Sequence, residues 1–252
     1  MSKIAFITGA TAGIGEACAK KLAEIGFDLI ISGRRKEKLE ILQHELIANY
    51  QVKVFSIELD VRNQKEVESK IKSLPEKWNK IDLLLNNAGL AVGVSSFQEG
   101  IIDDWERMID TNLKGLLYVT RAITPLMIER KKGQIINITS VAGKEVYPGG
   151  NVYCATKHAV DAITKGMRID LLPHNIKVCS LAPGMVDTEF SLVRFKGDSE
   201  KAEQVYNGFT PLYAEDIAET VEFIATRPAH VNINDILIMP NDQATARDVN
   251  KQ

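Results

Sequence analysis

Cysteine is scarce: Cys18, Cys154 and Cys179 are the only three in 252 residues. They share no ligand spacing, and each falls in apolar surroundings. That argues against a disulfide framework and suits small core residues of a reducing compartment. Histidine is nearly as rare, at four, so no metal site is expected. No sign of charge dominates, since 31 Lys+Arg against 33 Asp+Glu give a formal net charge of −2. The charges are mixed along the chain rather than blocked, so neither nucleic acid nor an anionic membrane is expected as a partner. No apolar run approaches the ~20 residues of a membrane span. Met1-Ser-Lys-Ile-Ala-Phe-Ile7 enters a strand without signal-peptide architecture. A soluble cytoplasmic protein is the expectation. No linker, repeat or low-complexity segment divides the chain, so 1–252 reads as one domain, and one α/β domain can run to roughly 250 residues.

What the chain does have is alternation. Strands are expected at Lys3–Thr8, Asp28–Ser32, Val52–Ile57, Ile81–Leu85, Gln134–Thr139, Ile176–Leu181 and Ile233–Ile238. Helices are expected between them. One runs from about Ile14 to a C-cap at Gly26, one over Lys36–Tyr50, and one from Asn63 to about Trp78. A long one starts at an Asp103 or Asp104 cap and reaches Glu129, with Pro125 as a possible bend. The last two are Val152–Leu172 and Ala214–Thr226. Strands separated by helices imply a parallel sheet covered on both faces. Gly9, Arg34, Asp60, Asn87, Ser140 and Pro183 all follow the C-terminal ends of strands, the edge where ligands bind in such sheets.

Gly9-x-x-x-Gly13-x-Gly15 lies between a strand and a helix. Glycines there permit a tight turn and let backbone approach a pyrophosphate at the helix N-terminus. A plain strand-to-helix corner would also use them. An NAD site usually sets a carboxylate about 20 residues on, at the end of the second strand. Here that position reads Ser32-Gly33-Arg34-Arg35, and Asp28 is at the wrong end of the strand. A guanidinium pair fits a 2′-phosphate, because the planar fork bonds two oxygens. NADP(H) is therefore expected over NAD(H), unless the two arginines are merely solvated helix-start residues.

Tyr153 and Lys157 stand four apart in a helical run, on one face and one turn apart. The ammonium would favour phenolate and draw the Tyr153 pKa from about 10 towards neutral. A tyrosine so tuned can exchange a proton at working pH. Alone, the spacing also suits a surface pair or an aromatic under a lysine stem.

Together the glycine turn, Asp60, Asn86-Asn87-Ala88-Gly89, Asn112, Ser140, Tyr153-x-x-x-Lys157 and Pro183-Gly184 resemble the short-chain dehydrogenase/reductase family in order and approximate spacing, over nearly the whole chain. The resemblance implies a Rossmann-like doubly wound sheet of about seven parallel strands. It implies a catalytic set of Asn112, Ser140, Tyr153 and Lys157. Tyr153 would give the proton in carbonyl reduction and take it in alcohol oxidation. Lys157 would lower its pKa and bond the nicotinamide ribose. Ser140 would hold the substrate oxygen, and Asn112 would support a water that relays protons from Lys157. Gly9, Thr11, Ala12, Gly13, Ile14 and Gly15 would form the phosphate turn. Asp60 and Val61 would flank the adenine, and Asn87 would sit near its ribose. Pro183, Gly184, Val186 and Thr188 would wrap the nicotinamide end.

The segment 186–211 is longer than an ordinary connection, as lids often are. With Tyr147-Pro-Gly-Gly-Asn151 and Pro228–Asn234, it resembles the NADP-dependent 3-hydroxy acid dehydrogenases. Those act on serine, allo-threonine and 3-hydroxypropionate-type acids and on the matching 3-oxo acids or semialdehydes. Arg194 is the candidate partner for a substrate carboxylate, or else a solvated loop charge. A broad carbonyl or 3-oxoacyl reductase is the alternative activity, and a non-catalytic NADP-sensing protein is a second. Ala155, Ala159, Ala162 and Gly166 form a small-residue stripe. It either packs on its own sheet or joins subunits, and the resemblance implies a homo-oligomer, a tetramer rather than a dimer. The tail 240–252 is too polar for a core, and is expected on a neighbouring subunit or disordered.

Overall fold

The computed structural model describes residues 2–252. Seven strands form one sheet: β1 (Ile4–Thr8), β2 (Asp28–Gly33), β3 (Val54–Glu58), β4 (Ile81–Asn86), β5 (Gly133–Ile138), β6 (Ile176–Pro183) and β7 (Asp235–Ile238). Their order is β3-β2-β1-β4-β5-β6-β7, and every pairing is parallel. Parallel neighbours need long crossovers, and helices supply them. These are α1 (Gly13–Glu24), α2 (Lys36–Tyr50), α3 (Gln64–Lys72), α4 (Ile102–Met108), α5 (Leu116–Arg130), α6 (Asn151–Asp170), α7 (Glu189–Arg194), α8 (Ser199–Gln204) and α9 (Ala214–Ala225).

Successive strand residues face opposite sides. Ala5 and Ile7 join Leu22, Leu39 and Ile217 in one buried layer, while Ile4 and Phe6 join Val67, Val119 and Ile123 in the other. The result is the doubly wound Rossmann-like sheet expected from the alternation. The strand order reverses direction between β1 and β4. Crossovers leave that point to opposite sides and open a crevice at the carboxyl ends of the strands.

Several boundaries differ from the sequence reading. Asn63 does start α3, and its Oδ1 accepts the Glu66 N–H at 3.2 Å. The helix ends at Lys72, before Pro75, and Glu76–Trp78 is a separate 3-10 turn. Neither Asp103 nor Asp104 caps α4. Ile101 holds that place, and Asp104 is buried with its Oδ2 on Lys196 Nζ at 2.7 Å. α4 and α5 are joined by a π-helical stretch, Ile109–Gly115, and Pro125 lies inside α5. The segment 186–211 is not irregular, since α7 and α8 lie within it. The small-residue stripe of α6 does not pack on its own sheet: Ala155 and Ala162 are exposed, while Thr156, Val160 and Thr164 are buried. The tail 240–252 folds back on its own chain, and Gln243 is buried. Among the described residues no helix is long and apolar enough to cross a membrane, and no group of metal-ligating side chains gathers.

Candidate active site

The crevice holds a cleft of about 350 Å³. Its wall includes Gly9, Thr11, Ala12, Gly13, Ile14, Arg34, Arg35, Asp60, Val61, Asn87, Ser140, Tyr153, Lys157, Pro183, Gly184, Val186 and Thr188. Of the catalytic, cofactor-binding and substrate-binding residues expected from sequence, Gly15, Asn112 and Arg194 do not line it.

At one end the glycine turn leaves β1. Gly9 has φ +66°, a left-handed value that favours glycine. A Cβ on Gly15 would stand 2.3 Å from Gly9 O, so Gly15 acts by letting the helix meet the turn rather than by facing the cleft. Asn87 braces the same turn, its Nδ2 donating to Thr8 O at 3.0 Å and to Gly9 O at 3.1 Å. No side chain caps the N-terminus of α1. Its N–H groups and the positive end of the helix dipole are thus left for an anion.

The two arginines at the end of β2 divide. Arg35 donates through Nε and Nη2 to Thr11 Oγ1 at 3.1 and 2.9 Å, and through Nη1 to Glu189 Oε2 at 2.8 Å. Glu189 also takes Lys38 Nζ at 2.9 Å, so these contacts tie α7 across the cleft to the start of α2. Arg34 is exposed and makes no hydrogen bond or ion pair among the described residues. Asp60 is engaged by Arg62, which holds its carboxyl below the ordinary range. No carboxylate at the end of β2 claims the Arg34 side of the cleft, so the residues fit a 2′-phosphate there.

At the other end α6 presents Tyr153 and Lys157, both buried. Lys157 Nζ donates to Ile138 O at 2.9 Å and stands 5.9 Å from the Tyr153 ring centre. Phe190 of α7 lies against the Tyr153 ring at 5.8 Å. Ser140 Oγ accepts the Ala142 N–H at 3.1 Å, which leaves its own proton to give. The acidity expected from sequence is reversed here. Burial raises the Tyr153 phenol above its usual value, and the nearby Ser140 and Arg194 only partly offset it. Burial also lowers Lys157 to about 8. Desolvation disfavours both charged forms, and it is the largest cause of each shift.

That shift has a measurable consequence. Lys157 holds its proton less tightly folded than unfolded, so stability rises with pH from about 8 towards 10.5. The slope is at most about 1.4 kcal/mol per pH unit. Tyr153 opposes it only above pH 10, where the unfolded phenol ionises first. Lys157→Met in the cofactor-free protein is therefore expected to be more stable than wild type at pH 7, with the advantage shrinking by pH 10. Paired urea titrations measure it, and a constant gap over that range would refute the burial argument.

Asn112 lies in the π-helical stretch, 3% exposed. Its Oδ1 accepts the Leu90 N–H at 2.8 Å, and Nδ2 donates to Leu90 O at 2.8 Å and to Thr156 Oγ1 at 3.1 Å. The amide thus pins the loop after β4 to α6 at the residue before Lys157. An asparagine there is a poor helix former, and the widened turn accommodates it; such turns are frequent at functional sites.

Arg194 Nη2 donates to Tyr147 Oη at 2.9 Å, with the guanidinium 5.2 Å from the Tyr147 ring centre. Its Nε is buried with no hydrogen-bond partner. The Arg194 charge reaches Tyr153. Sequence reasoning named Tyr147 only within a stretch that carries the family resemblance. It did not give Glu189 and Phe190 their partners, nor find Leu59, Thr111 and Thr139 in the cleft wall. Leu59 and Thr139 follow strand ends and were findable on that ground; the partners of Glu189 lie 151 and 154 residues away in sequence.

Residues 3–198 match the family model described as short chain dehydrogenase. The chain belongs to the short chain dehydrogenase family. It is 50% identical over 244 residues to the NADP-dependent 3-hydroxy acid dehydrogenase YdfG of Salmonella typhi, covering 96% of this chain and 97% of that one. It is 46% identical over 245 residues to sulfoacetaldehyde reductase 2 of Chromohalobacter salexigens, covering 97% and 96%. A closed form of serine dehydrogenase complexed with NADP+ superposes with a TM-score of 0.92 at 46% identity, over 99% of this chain and 100% of that one. Like others of its family, this short chain dehydrogenase is an oxidoreductase acting on CH–OH groups.

Proposed function

We propose that this chain is an NADP(H)-dependent oxidoreductase of short 3-hydroxy acids and the matching 3-oxo acids or semialdehydes, of the serine, allo-threonine and 3-hydroxypropionate type. One observation carries the reading. A phenol and a hydroxyl stand together in the wall at one end of the cleft, and Arg194, behind that wall, has a buried unpartnered Nε and a charge that reaches the phenol. The bound nicotinamide supplies the hydride chemistry. Arg34 holds the 2′-phosphate, and the α1 N-terminus holds the pyrophosphate. Val186 and Thr188 close over the nicotinamide end.

Tyr153 is the acid and base. Its raised pKa keeps it protonated at neutral pH, ready to give the proton to a carbonyl oxygen. Ser140 donates a hydrogen bond to that oxygen where negative charge develops. Lys157, held by Ile138 O, has further N–H groups for ribose hydroxyls. Asn112 keeps α6 and the loop after β4 in register behind it. Arg194 and Tyr147 receive the acid group of the substrate, so that only one end of the molecule faces Tyr153. An acid group is common to the substrates in the names of the hydroxy acid and sulfoacetaldehyde relatives, which supports this placement.

A panel followed at the nicotinamide absorbance tests the reading. L-Serine, L-allo-threonine and 3-hydroxypropionate with NADP+, and the corresponding oxo acids with NADPH, are expected to exceed neutral ketones and acyl thioesters in kcat/KM. The opposite order would favour a broad carbonyl or 3-oxoacyl reductase. Arg194→Met is expected to raise KM for the acids about 10- to 30-fold, the loss of one charge-assisted bond, with kcat within about twofold. An unmoved KM would dismiss Arg194 as the acid-binding residue. A homo-oligomer, tetramer rather than dimer, belongs to the same reading. It rests on exposed Ala155 and Ala162, which leave the α6 stripe uncovered by the sheet. Sedimentation velocity distinguishes the states.

A further inference from the structure

The segment after Pro240 is built into the molecule. Gln243 and Val249 form an antiparallel bridge. The Ala244 N–H donates to Asp248 O at 2.9 Å and the Asn250 N–H to Asp242 O at 2.8 Å, so the segment is a closed loop of its own. Two of its residues are buried, Ala246 and, more deeply, Gln243. Gln243 is 4% exposed. Its Oε1 accepts the Met185 N–H at 2.9 Å, and its Nε2 donates to Thr245 O at 3.0 Å. A Cβ on Gly184 would lie 2.4 Å from that Oε1, so the glycine makes room for the amide. The Gly184 N–H is itself taken by Ile238 O at 2.7 Å, at the end of β7.

The loop also bonds to two other parts of the chain. The Ala246 N–H donates to Glu145 Oε2 at 2.8 Å, and the Glu145 N–H closes on Val141 O at 3.0 Å, in the turn that begins at Ser140. The Gln252 N–H donates to Gly208 O at 2.8 Å, beyond α8. Among the described residues no hydrogen bond or ion pair joins it to the glycine turn or to Arg34. It braces the Pro183 end of the cleft and leaves the phosphate end alone.

We infer that Gln243 is a positioning residue for the nicotinamide end. It holds the Gly184–Met185 backbone from behind, and so sets where Val186 and Thr188 stand. Among the described residues the Met185 N–H has no other acceptor, and a partly buried amide left unpaired makes its turn unfavourable. This rests on the reading above that Pro183 to Thr188 covers the nicotinamide. Rigid support of a binding loop raises affinity and rate by removing the need to order it.

The experiment compares wild type with Gln243→Ala, Gln243→Met and Gln243→Glu. The ligands are NADPH and 2′,5′-ADP, which carries only the adenosine end. Wild-type oxidation of NADPH with an oxo acid is measured first, and its absence would sink the functional reading itself. Given that activity, Gln243→Ala is expected to weaken NADPH binding about tenfold and to lower kcat by a similar factor, while the Kd for 2′,5′-ADP stays within about twofold. Gln243→Glu keeps the acceptor for the Met185 N–H but loses the donor to Thr245 O, and is expected to recover only part of the NADPH affinity. Gln243→Met preserves volume and stands in for the alanine variant if that does not fold. Wild-type NADPH affinity and kcat in a folded Ala or Met variant would overturn the inference. So would a parallel loss of 2′,5′-ADP binding, which marks general loosening.

Discussion

Tyr153→Phe is expected to lower kcat about 10³-fold with NADPH and any oxo acid, and to leave the Kd for NADPH within about twofold. The substitution removes one oxygen and keeps the ring. The ring is what packs against Phe190 at 5.8 Å and joins Leu90, Ala142 and Cys154 in a small apolar cluster. The fold and the walls of the cleft should therefore persist. What is lost is the only phenolic proton in the cleft wall. Because burial raises the phenol, carbonyl reduction by wild type should not lose its proton donor at neutral pH. Alcohol oxidation needs the phenolate and should rise with pH. Stopped-flow turnover and fluorescence titration with NADPH check both halves. Full turnover in the phenylalanine variant would remove Tyr153 from the chemistry.

Arg34→Ala is expected to shift the ratio of NADPH to NADH efficiency about 100-fold towards NADH. Two charge-assisted hydrogen bonds to a phosphate, each about 1.5 kcal/mol, account for that size. Sequence alone paired Arg34 with Arg35. The structure separates them, since Arg35 is engaged by Thr11 and Glu189 while Arg34 is unpartnered. Arg35→Ala should act differently. It loosens the tie between α2 and α7, so it should weaken NADPH and NADH together with a much smaller change in their ratio. The Glu189 contact is half exposed and worth little by itself, so most of the loss would come through Thr11. Steady-state kinetics with both cofactors checks this. An unchanged ratio in Arg34→Ala, or a larger change in Arg35→Ala, would reassign the phosphate contact.

Much of the site was legible because its signals are local. Gly9, Gly13 and Gly15 follow an apolar strand, Tyr153 and Lys157 sit one helical turn apart, and Pro183-Gly184 ends another strand. Each reading needs only a few adjacent residues. The errors have a common origin in contacts from far along the chain. Asp104 resembles a helix cap by spacing, yet it is buried against Lys196. The tail looked too polar to fold in, yet Gln243 satisfies both ends of its amide on backbone. Asn112 was named through the family motif, but the π-turn that holds it has no sequence period to reveal it.

The sequence by itself determined the alternation of strands and helices, and with it a parallel sheet whose loops carry the chemistry at one edge. Periodicity and turn residues act over a few positions, so they are written where they act. Tertiary structure decided the strand order that opens the crevice between β1 and β4, the freedom of Arg34, and the direction in which Tyr153 and Lys157 titrate. Those depend on which distant groups remove water from a side chain or bond to it. A charged neighbour four residues away argued for an acidic phenol, and burial by the surrounding chain made it a weak one.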